Sequence, residues 1–288
     1  ALLIFTPLLN FSQAPNIGTA ANFVLFTSVG AVTNTGISQL TGNVGSNSGS
    51  STGFGNVDGV MQNGNGATAQ CAADLTLAYN QLNSAIPNYF PASLLGNGQT
   101  LTAGIYSIPS TASLNLNLNL DAQNNPNAVF IFKIEDAFSS AANSQIVLVN
   151  GAQACNVFWK IEGLVDLAAG TSMKGTIVAN NAAILINTGA VLEGRALSTS
   201  GAISVDGVLS YKPIGCGSPI LNGPTAPNLG STICYTIFSS DGSVSNAGVS
   251  YATGDIGTNV GLTTGYDALN VNGTIHPIPD NSTAAAAS

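Results

Sequence analysis

Phe132-Lys133-Ile134-Glu135 recurs almost unchanged as Trp159-Lys160-Ile161-Glu162, 27 residues further along the chain. Alternation of apolar and charged residues is the period of a β-strand, with successive side chains on opposite faces. If the two tetrads stack in adjacent coils, Phe132, Ile134, Trp159 and Ile161 point inward and the lysines and glutamates point out. Each lysine then has a glutamate on its own strand and another diagonally across, which offsets the stacking of like charges. The same outward row carries Ile131 and Phe158, and apolar groups in that position need a cover.

Working outward from these tetrads, short β runs begin at Ile105, Val129, Val157, Thr176 and Arg195, divided by Gly, Asn and Ser. The last three starts are 19 residues apart. Hairpins would bring turn signals about every 8–12 residues. Coils of about 20 residues with several short strands each indicate a parallel β-helix instead. One segment breaks the pattern: Leu75, Ala78, Tyr79, Leu82 and Ile86 recur at helical spacing, so Ala67–Ala85 is expected to form one long helix. Gly64-Asn65-Gly66 would set its start and Pro87 its end. This helix is the expected cover for Ile131 and Phe158.

Composition narrows the function. Of 288 residues 6% are charged and 45% hydrophobic, so the chain is ordered but its surface is built from hydroxyl, amide and methyl groups. The net charge is -8, and the basic residues are Lys133, Lys160, Lys174, Arg195 and Lys212. That excludes nucleic acid as a partner, since neutralising a phosphate backbone takes clustered cations. The one histidine, His276, lies near the end of the chain beside Pro277, which removes His-based triads and metal sites from the rest. Gly53–Gly59 has the wrong spacing for a dinucleotide loop. Asp166, Glu193, Arg195 and Lys174 are read as solvated edge charges rather than a lyase centre, and Asp58 and Asp121 as turn residues rather than calcium ligands. No catalytic residue, cofactor or metal is expected.

Residues 14–47 and 226–259 align without gaps at an offset of 212, with 15 of 34 positions identical. Gly30, Val32, Asn34, Gly36 and Ser38 match Gly242, Val244, Asn246, Gly248 and Ser250, every second residue along a strand. The expected organisation is a signal-peptide remnant over 1–14, a β-helix domain over 15–217, and a Gly/Pro-rich linker over 218–228. A truncated N-terminal part of a second repeat would occupy 229–288. The apolar start, ending in Ser12-Gln13-Ala14, implies export to the medium or cell surface, without a transmembrane anchor in this segment. Export permits disulfides. Cys71, Cys155 and Cys216 lie in the first repeat and Cys234 in the second, so at least one of the three is unpaired there or bonded across repeats. Cys155–Cys216 is preferred, because both lie where a strand meets a turn.

Eight stretches in order resemble the microbial ice-binding proteins. They are Gly18–Phe23, Gly30–Gly36, Leu40–Gly45, Ala72–Thr76, Leu120–Gln123, Asn127–Phe132, Asn150–Trp159, and Asn187–Ala190 with Gly194–Leu197. The resemblance implies a mainly β chain, a discontinuous right-handed parallel β-helix (solenoid) with one long α-helix packed alongside. It also implies that N-terminal and C-terminal coils stack side by side, out of sequence order. The implied partner is the ice crystal surface, to which such proteins adsorb and so limit growth or recrystallisation. Strong binders in this family carry rows of Thr, Ser, Asn and Ala on one flat face, some as Thr-(Ala/Gly)-x-(Thr/Asn). The nearest equivalents here are Thr35-Gly-Ile-Ser38, Ser140-Ala-Ala-Asn143, Ala169-Gly-Thr-Ser172, Thr188-Gly189 and Thr199-Ser-Gly201. The candidate ice-contact residues are therefore Thr35, Ser38, Ser140, Asn143, Thr171, Thr188 and Thr199. The alternative is an exported structural or adhesive module that uses the same scaffold to bind polysaccharide or a cell surface, and a groove with exposed Tyr89, Phe90 or Tyr106 would favour carbohydrate.

Overall fold

A computed structural model describes residues 13–216 and 229–288, which fall in separate compact units. The expected linker lies outside the described residues, and the expected signal-peptide remnant almost wholly so.

Every strand pair in the first unit is parallel, and the coils form a three-faced β-helix. The first face stacks Gly104–Ile108, Phe130–Ile134, Val157–Ile161, the second half of Ser172–Ala179, the second half of Val191–Ser198, Phe23–Val29, Asn43–Ser48 and Met61–Asn63. The second face stacks Leu94–Gly96, Ala112–Asn115, Phe138–Ser140, Val165–Leu167, Ile184–Ile186, Ile203–Asp206, Val32–Thr35 and Ser51–Thr52. The third is made of Thr100–Thr102, Asn117–Asp121, Gln145–Val149, the first halves of the two long strands, Leu209–Tyr211, Gln39–Thr41 and Asn56–Asp58.

Chain order and stacking order differ. Leu25 pairs with Ala196, Val32 with Ile203, and Leu209 with Gln39. The N-terminal coils thus continue the solenoid beyond the C-terminal coil on all three faces. Between them the chain runs along this unit as the helix Gly66–Ser84, then starts again at the far end of the stack.

The interior follows from the alternation in the tetrads. Phe130, Phe132, Ile134, Val157, Trp159 and Ile161 are buried in the main core. Tyr89, Tyr106, Phe132 and Trp159 stack coil upon coil, with ring centroids 4.9, 5.0 and 4.0 Å apart, the offset packing that aromatic pairs favour. The Trp159 indole N–H, which a dry core must satisfy, donates to the Lys174 carbonyl at 2.9 Å.

Outward on the first face, Phe26, Leu197, Val178, Phe158 and Ile131 form a second apolar layer with Cys71, Leu75 and Leu82 of the helix. Burying each large side chain in it contributes about 1.5–3 kcal/mol, more than helix propensity could. Asn65 and Thr68 cap the helix N-terminus reciprocally. Asp74 ties the helix to the short turn Gly18–Asn22 ahead of the first strand, accepting from the Thr19 N–H at 2.7 Å and the Thr19 hydroxyl at 2.6 Å. The helix ends at Ser84, because Ala85 is extended, and Ile86, expected on its apolar stripe, is 83% exposed.

Lys160 lies beneath this helix with no exposed side-chain surface, paired with Glu135 at 2.7 Å and Glu162 at 2.6 Å. A buried charge survives only when paired and hydrogen-bonded. The Tyr79 hydroxyl donates to Glu162 at 2.8 Å, and the Asn180 amide donates to the other Glu162 oxygen at 2.7 Å. Lys133 departs from the expected pairing with its own strand. With Glu135 bonded to Lys160, its ammonium donates instead to the carbonyls of Asn83 and Ala85 at the helix C-terminus, where cations are favoured.

Cys155 and Cys216 are joined in a disulfide, with Cα atoms 6.0 Å apart. Cys71 is buried and free, and Cys234 exposed and free.

In the second unit Tyr235–Ser239 pairs with Asp255–Thr258, Val244–Ser245 with Thr263–Thr264, and Ala252–Thr253 with Val271–Asn272, all parallel. The register slip between Phe23 and Leu25 recurs between Tyr235 and Ile237. The Asn246 amide bonds the Gly248 and Gly265 carbonyls just as Asn34 bonds those of Gly36 and Gly53. Asp280 caps the helix Asn281–Ala287, and its carboxylate also lies 2.6 Å from the His276 Nδ1.

The charged layer under the long helix makes stability depend on pH. Burial raises the Glu162 carboxyl, but bonds from Asn180, Lys160 and Tyr79 outweigh it and hold the group below the ordinary carboxylate range. A depressed folded value means the stabilisation is present above the unfolded value and is lost as pH falls through the folded one. The melting temperature, followed by circular dichroism, will stay level from pH 7 to about 5 and drop below about 4. Glu162→Gln will melt lower at neutral pH and show a shallower acid slope; an unchanged slope would assign the acid loss to other carboxylates.

Candidate functional site

The three faces offer different surfaces. The helix occupies the first. The third exposes a Lys174–Glu193 ion pair at 2.9 Å, with Val191, Leu209 and Tyr211 beside it, so it is charged and uneven. The second is left open by the described residues of this unit and is built mainly from small groups.

Register places its outward residues in rows, one residue per coil, about 4.8 Å apart. The central row runs Thr52, Thr33, Ser204, Leu185, Asp166, Ser139, Ser113 and Leu94. Beside it Ser50, Ala31, Ala202, Ala183, Leu164 and Ala137 are stacked, each carbonyl accepting the first strand N–H of an adjacent coil. No aromatic residue occurs in either row. Inward neighbours Val32, Ile203, Ile184, Val165 and Phe138 are fully buried and hold the backbone from beneath. Thr33 and Ser204 hydroxyls lie 3.0 Å apart, bonded across the junction of N-terminal and C-terminal coils. Asp166 accepts from the Asn187 amide at 2.8 Å, and Asp206 accepts from the Thr188 hydroxyl at 2.6 Å.

The residues selected from sequence are not brought together on this face. Thr35 and Thr188 are exposed at its edge, near the corner with the third face. Asn143 is in that corner itself: Gly36, Gly207, Gly189, Gly170 and Asn143 all turn it with φ between 54° and 74°. Asparagine serves there because it tolerates the left-handed region, as glycine does. Three others face inward. Thr171 is 0% exposed and its hydroxyl lies 2.7 Å from that of Ser140, which also accepts from the Ala168 N–H. Ser38 bonds the buried Asn34 side chain and the Val208 N–H. These three cannot touch an external surface; their hydroxyls satisfy backbone groups that the corners leave unpaired. Thr199 is half-buried at another corner, donating to Asn180 and accepting from the Asn181 N–H.

The residues that do line the face went unselected, although their pattern is in the sequence. Val32-Thr33-Asn34, Ile203-Ser204-Val205, Phe138-Ser139-Ser140 and Ala112-Ser113-Leu114 each place one hydroxyl between two inward residues.

Among the described residues, the groups considered for other chemistries are not brought together. Asp166 is on the second face and Glu193 on the third, and Arg195 is buried, donating to the Ala21 carbonyl and the Thr176 hydroxyl. Asp121 accepts from the Gln123 N–H and the Asn150 amide, as a turn residue does. Of the aromatics that could grip a sugar, Tyr106 is 2% exposed within the core stack, so Tyr89 and Phe90 form no platform with it.

The family described as Ice-binding-like matches residues 26–209. The chain belongs to this family. An ice-binding protein of Nostoc sp. (strain HG1) is 39% identical over 213 residues, covering 72% of this chain and 78% of that protein. The crystal structure of an ice-binding protein from an Antarctic bacterium, Flavobacteriaceae, superposes with a TM-score of 0.72 at 66% identity, covering 95% of this chain. This chain spans 65% of that one. An ice-binding protein from an Antarctic biological consortium has a TM-score of 0.68 at 31% identity, covering 73% of this chain and 96% of its own. Membership in the ice-binding family agrees with the discontinuous β-helix and its flanking helix.

The inward placement of Thr171 separates structural hydroxyls from surface ones. Thr171→Val keeps the side-chain shape but removes a buried hydrogen bond, at a cost of about 1–3 kcal/mol. Thermal denaturation will show that loss, while activity on ice per folded molecule will not change. A folded variant inactive on ice would return Thr171 to the contact surface.

Proposed function

We propose that this chain adsorbs to ice through the second face of the β-helix and thereby limits crystal growth or recrystallisation, without covalent chemistry. The observation that carries the reading is a face, left open by the described residues of the first unit, with Ala and Ser/Thr in parallel aromatic-free rows, on the scaffold of a family whose matched members are named ice-binding proteins. Rows of methyl and hydroxyl groups at the coil spacing order water without the strong local hydration that charges impose. Coils locked by ladder bonds and a packed core lose little conformational freedom on adsorption, so more of the contact energy is retained.

The disulfide and the charge-poor composition support a secreted or cell-surface setting, since disulfides persist in oxidising compartments. The second unit is read as part of a second copy of the repeat, supported by its matching register slip and corner bonds. A tandem arrangement raises the effective concentration of one unit at a surface the other already holds.

The test is a bulky residue in the central row. Thr33→Tyr will abolish thermal hysteresis and recrystallisation inhibition while the chain stays folded, the lost Thr33–Ser204 hydrogen bond costing about 0.5–1.5 kcal/mol. Full activity in that variant would move the contact surface off the second face. An inactive parent chain would remove the ice reading.

A further inference from the structure

The second face is not uniform along the axis. From its N-terminal-coil end, three coils present only small groups in the two rows: Ser50 and Thr52, Ala31 and Thr33, Ala202 and Ser204. The next two coils place Leu185 and then Asp166 in the central row, and Leu164 beside Asp166 in the flanking row. Leu164 is 43% exposed. Beyond them the rows become small again with Ala137 and Ser139, then Thr111 and Ser113, before half-exposed Leu94 ends the central row.

Two leucines and a carboxylate therefore form a ridge across the middle of the two rows, which carry methyls and hydroxyls on either side of it until Leu94 ends the central row; the Asp206 carboxylate lies outside both rows, at the edge of the face beside Thr35. A leucine side chain reaches two carbons further than alanine, so a plane resting on the small residues at one end is lifted off those at the other. Asp166 adds a chemical obstacle. Its carboxylate accepts from Asn187 and keeps water around its remaining lone pairs in a geometry set by charge.

Accepting the ice reading above, we infer that Leu164, Asp166 and Leu185 are its specificity-determining residues. They divide the face and confine ice contact to the patch formed by Ala31, Thr33, Thr52, Ala202 and Ser204. That patch straddles the junction between the N-terminal coils and the C-terminal coil, pinned there by the Thr33–Ser204 hydrogen bond. Ser113 and Ser139, though equivalent by register, contribute little. The ridge also limits the area that can be adsorbed at once.

Three variants of the full chain test this, with circular dichroism and melting temperature as controls for folding and with thermal hysteresis and recrystallisation inhibition as readouts. Thr33→Tyr is expected to lose activity and Ser113→Tyr to keep it. The triple variant Leu164→Ala, Asp166→Thr, Leu185→Thr joins the two ends, so hysteresis at equal concentration rises several-fold and Ser113→Tyr becomes damaging in that background. Equal loss from Thr33→Tyr and Ser113→Tyr in the parent chain would overturn the inference, because the whole face would already be engaged. So would a folded triple variant with unchanged or reduced activity. If both tyrosine variants keep full activity, the second face itself is wrong and the inference falls with it. Should the triple variant not fold, the two tyrosine variants alone decide between the patch and the whole face.

Discussion

A solenoid coil must bury the inner sides of all three faces, but this one also carries an apolar outer row on its first face. Phe26, Leu197, Val178, Phe158 and Ile131 cannot be left in water, and the helix Gly66–Ser84 is what covers them. That requirement shapes the rest. A helix long enough to lie along the stack carries the chain from one end to the other, so coils made after it must be built back toward those made before it. The closure of Phe23–Thr41 onto Arg195–Tyr211 is the geometric consequence.

Most of the cations are spent around the helix rather than on the open surface. Of the five basic residues, Lys133 and Lys160 are buried beneath or beside the helix and Arg195 is buried against the turn Gly18–Asn22, which Asp74 bonds to the helix. Tyr79 and Asn180 complete the Lys160–Glu162 pair. Cations fasten the strap, which leaves only Lys174 and Lys212 of the five for the other faces. Buried networks of this kind are sensitive to the loss of one member because the remaining charge is stranded.

Much of this architecture could be read from residue order. The Phe132 and Trp159 tetrads showed which side chains point inward, because period-two alternation is local. The same tetrads showed that Ile131 and Phe158 needed a cover. Lys133 was misassigned, since its partners are carbonyls of a helix end about 50 residues away, which no strand pattern encodes. The candidate site was less legible. Thr-Gly and Ala-Gly pairs drew attention to corners, where the backbone turns left-handed and hydroxyls at Ser38, Ser140 and Thr171 are used internally. Thr33 and Ser204 meet only through the junction, across a sequence separation of 171.

That separation has a kinetic side. Coils from Gly104 to Ser198 can zip one upon the next, each closing a short loop. Docking the N-terminal coils onto the last of them closes a far longer one, with a larger entropic cost and a slower step. Until residues near 195–211 are in place, Phe23–Thr41 has no edge on that side to add to, and the row joining Thr33 to Ser204 does not exist. The smoothest part of the second face is therefore the last part of the molecule to be assembled, and a chain caught before that step would keep most of its coils while lacking this surface.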